Sequence, residues 1–372
     1  MDFIGYTKND RADVRVSIIE ENRHLSFQRE QVFGYDCEPV ETEDMPSTYI
    51  AYCNDAMIIG GSSVVVSSDG TILYDMLHDW KKYNANVTDH GLFMLTGKPL
   101  KIGTSYFYNY RTKEKESITS GISLACNMSE NYYHFIYDCA ARLTLLQKYS
   151  VPKDVPLLVD EHSLAIPSIN AFLQSMNVEG RRIIPLKNEV AYMVNCLYVL
   201  SPVNKVVPNT MNPAVRKGHA FDANVLSEMR ARLLPLATKR ATTPKRIFIS
   251  RSKCLKRQLN EEELFPVLKG YGFERVFTEG MTLSEQVTLF FHAEHIVASS
   301  GAALSNLLFC KPGTKVLIFI SPRRPGIYSS LALPLGLESQ ALIVDSSENR
   351  LHALHYYAKP DELKKYLTSI HG

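Results

Sequence analysis

The sequence predicts an α/β protein of two Rossmann-like units, with a small antiparallel β element near the N-terminus. Three observations lead there. At 372 residues the chain exceeds the ~250 that one hydrophobic core usually serves. From Cys126 onward, short apolar runs alternate with helical patterns, as in a parallel sheet covered by helices. In "SSVVVSSDGTILYDML", Asp69-Gly70 lies between two extended segments, which marks a hairpin within residues 50–77.

The first helix follows Cys126. "SENYYHFIYDCAARLTLLQKYSVP" offers Ser129 as cap, an apolar stripe through Tyr133, Ile136, Ala140, Leu143 and Leu146, and Pro152 beyond the end. It reads as an amphipathic helix of ~18 residues. "VPLLVD", "RRIIPL" and "VAYMVNCLYVL" then read as strands, with a helix at "SLAIPSINAFLQSM". Residues 201–224, rich in Pro and Asn, read as a long loop, and a helix near "NVLSEMRARLLPL" leads into a linker at "LATKRATTPK". Beyond it, "RIFISR", "FERVFT", "HIVAS" and "KVLIFI" are strands. Between them lie helices at "NEEELFPVLKGYG", with Asn260 as cap and Glu263 completing a capping box, at "TLSEQVTLFFHA" and at "AALSNLLFC". The expected division is 1–235, 236–345, and a helical tail over 346–372.

Composition excludes several classes. A net charge of +2 is too balanced for a general nucleic-acid or membrane-surface binder. The opening "MDFIGYTKNDRADVR" has no basic-then-apolar leader pattern, and no run approaches ~18 apolar residues, so neither a signal peptide nor a spanning helix is expected. The seven cysteines are scattered, without a C-x-x-C pair, and read as small apolar fillers in a reducing compartment. The phosphate loop, the zinc-protease motif, the nucleophile elbow and G-x-G-x-x-G are all missing. So is any D-x-D, the usual carboxylate pair for a metal-bound nucleotide diphosphate. The i,i+3 histidine pairs in "HAEH" and "HALH" are explained by packing.

Parallel sheets bind ligands at the carboxyl ends of their strands. Arg251 and Ser252 follow a strand, with Lys253, Lys256 and Arg257 close behind; a guanidinium there suits phosphate, and a solvated basic loop would carry the same residues. Glu279 closes the next strand and Glu285 begins a helix, where it serves either ribose hydroxyls or the helix dipole. In "HIVASSGAALSNLLF", small residues at Ser299, Ser300, Gly301, Ala302 and Ala303 turn a strand into a helix, a phosphate cradle or a tight packing turn. In "NYYHFIYD", His134 and Asp138 share a helical face, so the carboxylate can orient the imidazole for proton abstraction; Asn131 and Tyr132 sit one turn earlier. A structural histidine is the competing reading.

The segments "NYYHFIYDCAARLTLL", "IFISRSKCLKRQLNEEEL", "GFERVF" and "LSEQVTLFFHAEHIVASSGAALSNLLFCKPGTKVLIF" together resemble glycosyltransferase family 61, in order and spacing over roughly residues 50–320. Many relatives carry a "HGAGL" pattern, where this chain has Ser300 before Gly301 and Ala303 in place of the second glycine. The resemblance implies a GT-B architecture, with two Rossmann-like domains facing a cleft, and an inverting, metal-independent transfer. It implies no cofactor: the nucleotide-sugar, UDP-linked, is a substrate. Arg251, Ser252, Lys256, Arg257 and the turn from Ser300 to Ala303 would hold its diphosphate, and Glu285 the nucleoside. His134 with Asp138 would be the base, with Asn131 and Tyr132 on the acceptor side. The expected setting is bacterial capsule or surface-polysaccharide synthesis, on a saccharide or lipid-linked acceptor, in the cytoplasm or at the inner face of its membrane. A non-catalytic nucleotide- or glycan-binding member and a protein O-glycosyltransferase are the alternatives.

Overall fold

The protein is represented by a computed structural model that describes residues 3–4, 12–36, 39–73, 100–102, 105–107, 112, 114–126, 128–205, 219–238, 243–254, 258–321, 327–348 and 354–371. Much of the expected 201–224 loop, the centre of the 236–245 linker, the distal end of the 50–77 region and His352 lie outside them. The chain divides into two compact units, Met1–His24 with Asp44–Arg216, and Leu25–Glu43 with Lys217–Gly372.

The first unit is built on a nine-stranded mixed sheet. Its strands are β1 (Phe3–Ile4), β2 (Val14–Glu20), β3 (Thr48–Ile59), β4 (Val65–Val66), β5 (Ile72–Leu73), β6 (Lys115–Ser123), β7 (Leu157–Asp160), β8 (Ile183–Leu186) and β9 (Ala191–Leu200). They run in the order β1-β5-β4-β3-β9-β6-β7-β8, with β2 paired to β3. The hairpin at Asp69-Gly70 is present: β4 and β5 pair antiparallel, and Gly70, at φ 87°, closes the turn through its N–H to Ser67 O. It is part of the main sheet, not a separate element before it, because β4 also pairs with the long strand β3. Strands β6, β7, β8 and β9 are the doubly wound portion, in spatial order β8-β7-β6-β9, with β6 parallel to both β7 and β9. The strand order reverses between β6 and β9, where such sheets place ligands.

The second unit has a five-stranded, wholly parallel sheet. Its strands are β10 (Arg246–Ile249), β11 (Glu274–Val276), β12 (His295–Ser299), β13 (Lys315–Ile320) and β14 (Glu338–Ile343), ordered β11-β10-β12-β13-β14. Its switch point lies between β10 and β12. Helices α1 (Ala223–Leu233), α2 (Glu261–Gly270) and α3 (Leu283–His292), and the 3-10 helix Ala302–Phe309, complete the winding.

The units do not follow the expected bounds. Helix α1 belongs to the second unit, where Arg230 Nη1 donates to Cys310 O at 2.7 Å. Residues 25–43 belong there too: Phe33 N–H donates to Ala341 O at 2.9 Å, and Ala341 N–H to Gln31 O at 2.8 Å, which covers the β14 edge. The C-terminal helix α4 (Pro360–His371) is no tail, since Leu363 and Leu367 are fully buried in the core that holds Phe248 and Val297. Each contributes roughly 2 kcal/mol of burial. No described helix is long and apolar enough to cross a membrane.

Candidate active site

In the first unit, β6 ends at Ser123 and the chain enters a helical segment at its carboxyl edge, beside the switch point. The expected single helix is three kinds of turn in succession: α-helical over Tyr132–His134, π-helical over Phe135–Cys139 and 3-10 over Ala140–Gln147. The cap is Asn131, not Ser129: Asn131 Oδ1 accepts Tyr133 N–H at 3.0 Å, because the Ser129 hydroxyl is committed to Asp160 at 2.8 Å.

His134 Nδ1 and Asp138 Oδ2 are 2.7 Å apart, joined across the widened turn, where π-bulges commonly serve function. Burial lowers the His134 pKa, but the hydrogen bond and charge of Asp138, with Glu130 assisting, outweigh it and hold the group above its ordinary value. A carboxylate on Nδ1 requires a proton there, which leaves Nε2 as the basic nitrogen. Arg142 fixes the turn from behind, donating to Asp138 O at 2.5 Å and to Leu200 O at 3.1 Å, at the end of β9. Burial pushes the Tyr132 phenol well up, so it stays protonated as a hydroxyl.

Sequence reading missed the carboxylate that shapes this edge. Asp160, fully buried at the end of β7, accepts from Gly61 N–H at 2.7 Å, Cys126 N–H at 3.1 Å and Ser129 Oγ at 2.8 Å. Desolvation raises its pKa, and the three hydrogen bonds oppose that rise. The signal was an aspartate closing the apolar run "VPLLVD", a position that names no partner by itself.

In the second unit, the loops after β10 and β12 emerge side by side, since Ile249 pairs with Ala298. The Arg251 guanidinium lies against Gly301, where a methyl would stand 2.1 Å from Nη1 and 3.0 Å from Cζ. Two elements expected to share a phosphate are therefore in contact. Buried Glu261 sets the β10 loop, accepting Ser250 Oγ at 2.5 Å and Arg251 N–H at 2.6 Å. Ser252 N–H donates to Ser250 Oγ at 3.2 Å. Tyr328 OH holds the other wall, donating to Gly301 O at 2.7 Å. Neither Glu261 nor Tyr328 was legible as part of this edge.

The cradle is narrower than expected. Ser300 N–H is bonded to Phe319 O at 3.0 Å, and Leu304 N–H closes the first helical bond, on Gly301 O, at 2.9 Å. Ala302 and Ala303, the first two residues of that helix, present N–H groups that precede its first internal bond. Glu285 forms a capping box: its Oε2 accepts Thr282 N–H and Oγ–H at 3.0 Å each, and its own N–H donates to Thr282 Oγ1. At Asn260 the expected box is absent, because that side chain pairs with the backbone of Ala358 instead. Glu279 lies beyond the end of β11 and accepts from Cys254 Sγ at 3.1 Å, and Lys253 sits over the Phe277 ring. Lys256 and Arg257 lie outside the described residues.

Among curated proteins no match is found. Among solved structures, the chain is similar to the iron-containing dodecameric glycosyltransferase TibC of enterotoxigenic E. coli, at 10% identity and TM-score 0.25, over 81% of this chain and 73% of that one. The family model "Glycosyltransferase 61" matches residues 132–317, from the turn bearing His134 to β13. That match takes in half of the chain, both strand-edge loops included, and the protein belongs to the glycosyltransferase 61 family.

Proposed function

We propose that this glycosyltransferase is inverting and metal-independent, has a GT-B architecture, and moves a sugar from a UDP-linked donor to a saccharide or lipid-linked saccharide during bacterial surface-polysaccharide synthesis. The observation that carries the reading is the 2.7 Å contact between His134 and Asp138 at the switch point of the first sheet. In the proposed reaction, His134 Nε2 takes the proton of the acceptor hydroxyl as its oxygen bonds to the anomeric carbon. The bond from that carbon to the donor phosphate breaks, and its electron pair leaves with the diphosphate. Asp138 holds the imidazole in the required tautomer and stabilises the imidazolium that forms.

The leaving diphosphate gains one negative charge, on the oxygen that was bonded to the anomeric carbon, and that charge needs stabilisation. Arg251, with the N–H groups of Ala302 and Ala303, supplies donors suited to that task, which a metal performs in enzymes that carry D-x-D. The absence of D-x-D from the whole sequence supports the metal-free reading. Ser252, Lys256 and Arg257 extend the same grip, and Asn131 and Tyr132 face the acceptor. The first unit is thus assigned the acceptor and the second the donor.

The test is a transfer assay with UDP-, GDP- and CMP-linked sugars in EDTA, the product's anomeric configuration being read by NMR. Inversion at an undiminished rate in EDTA is expected. A retained configuration, or activity that EDTA abolishes, would overturn the proposal.

A further inference from the structure

In the first unit, a second histidine, His162, is held in one tautomer by a chain of hydrogen bonds that the reaction above does not use. Ser129 has one proton, and its hydroxyl donates it to Asp160 Oδ2 at 2.8 Å, an acceptor that also takes Cys126 N–H. The contact between Ser129 Oγ and His162 Nε2, at 3.1 Å, then requires the imidazole to donate. In the neutral ring Nδ1 is therefore a lone-pair acceptor. Glu130 stands next to this ring, with its carboxylate 3.5 Å from His162 Nε2. It also lies four residues before His134. The pair is open to solvent: the side chain of His162 is 32% exposed and that of Glu130 56%. Both follow the carboxyl ends of adjacent strands, β6 and β7.

The Nδ1 lone pair of His162 and the carboxylate of Glu130, which lies toward the other ring nitrogen, are two hydrogen-bond acceptors on partly exposed side chains. Neighbouring hydroxyls of a sugar ring are the matching donors, and neutral sugars carry no charge that Glu130 would repel. We propose that His162 and Glu130 form a saccharide-binding subsite, taking two hydroxyls of the acceptor and holding it beside His134. The role as acceptor subsite rests on the transferase reading; saccharide recognition by the pair does not.

The test uses two readouts on wild type, His162→Gln and Glu130→Gln. Gln at 162 retains an N–H donor for Ser129 and loses the Nδ1 acceptor, and both positions are exposed enough to tolerate substitution. In the first readout, each protein is applied without donor to an array of immobilised oligosaccharides. Wild type should capture a subset, and each variant should bind it about tenfold more weakly, the cost of one hydrogen bond to an ordered acceptor. In the second, the acceptor KM of the transfer reaction should rise by about the same factor, with kcat little changed. Equal binding by all three proteins, or no capture by wild type, would overturn the subsite. Capture that is lost in the variants, with no transfer by wild type from any donor, would support the subsite and sink the transferase reading instead.

Discussion

At the carboxyl edge of the first unit's sheet the polar groups are imidazoles and carboxylates, His134 with Asp138 and His162 with Glu130. At the same edge of the second unit's sheet they are a guanidinium lying on a glycine and the N–H groups of a helix start. In the proposed reaction the first set accepts and moves protons, and the second answers negative charge. Each is shaped by a carboxylate sunk beneath it, Asp160 or Glu261, which takes N–H and hydroxyl donors from the loop that bears the working side chain. The same winding thus presents opposite chemistries through which residues follow its first strand.

The largest effect is expected at His134. His134→Ala should reduce transfer by roughly 10³-fold, the scale of a lost general base, while nucleotide affinity persists. Steady-state kinetics beside calorimetric titration with UDP would check both halves. A weaker effect is expected on the other side: Gly301→Ala should cost about tenfold in donor affinity, because the added methyl overlaps Arg251 Nη1 and the flexible guanidinium must move. Its melting temperature should hold, since no backbone atom is displaced.

The acid limb of the pH profile offers a finer probe. A base works unprotonated, so activity should rise with pH through the His134 pKa, which lies above the ordinary 6.5. In Asp138→Asn the limb should fall toward or below that value, because burial is then less opposed. The linked stability has the opposite sense: the raised pKa contributes stability below the unfolded value, and that contribution fades as pH rises through the folded one.

Much of this was local enough to be legible in the sequence. The Asp69-Gly70 turn, the His134/Asp138 spacing and the loops at Arg251 and Gly301 each depend on neighbours within a few residues. What escaped depends on distance or on hydrogen-bond register. Asp160 meets Cys126 across 34 positions, and Glu261 meets Arg251 across 10. An apolar stripe looks alike in α, π and 3-10 turns, so the 132–147 segment read as one helix. The allegiance of residues 25–43 rests on an edge pairing with β14, and no feature of the segment itself announces it.

The smallest expected effect concerns Glu285. Thr282→Ala should cost about 1 kcal/mol of stability through the lost cap, measured by urea denaturation, and leave UDP affinity unchanged if the carboxylate serves the helix. A parallel loss of UDP affinity would assign Glu285 to the nucleoside.

The most direct test of the division of labour is a thermal-shift titration of wild type, His134→Ala and Arg251→Ala with UDP in EDTA. UDP should stabilise wild type and His134→Ala equally and leave Arg251→Ala unmoved. Equal stabilisation of Arg251→Ala, or its loss in His134→Ala alone, would contradict that division.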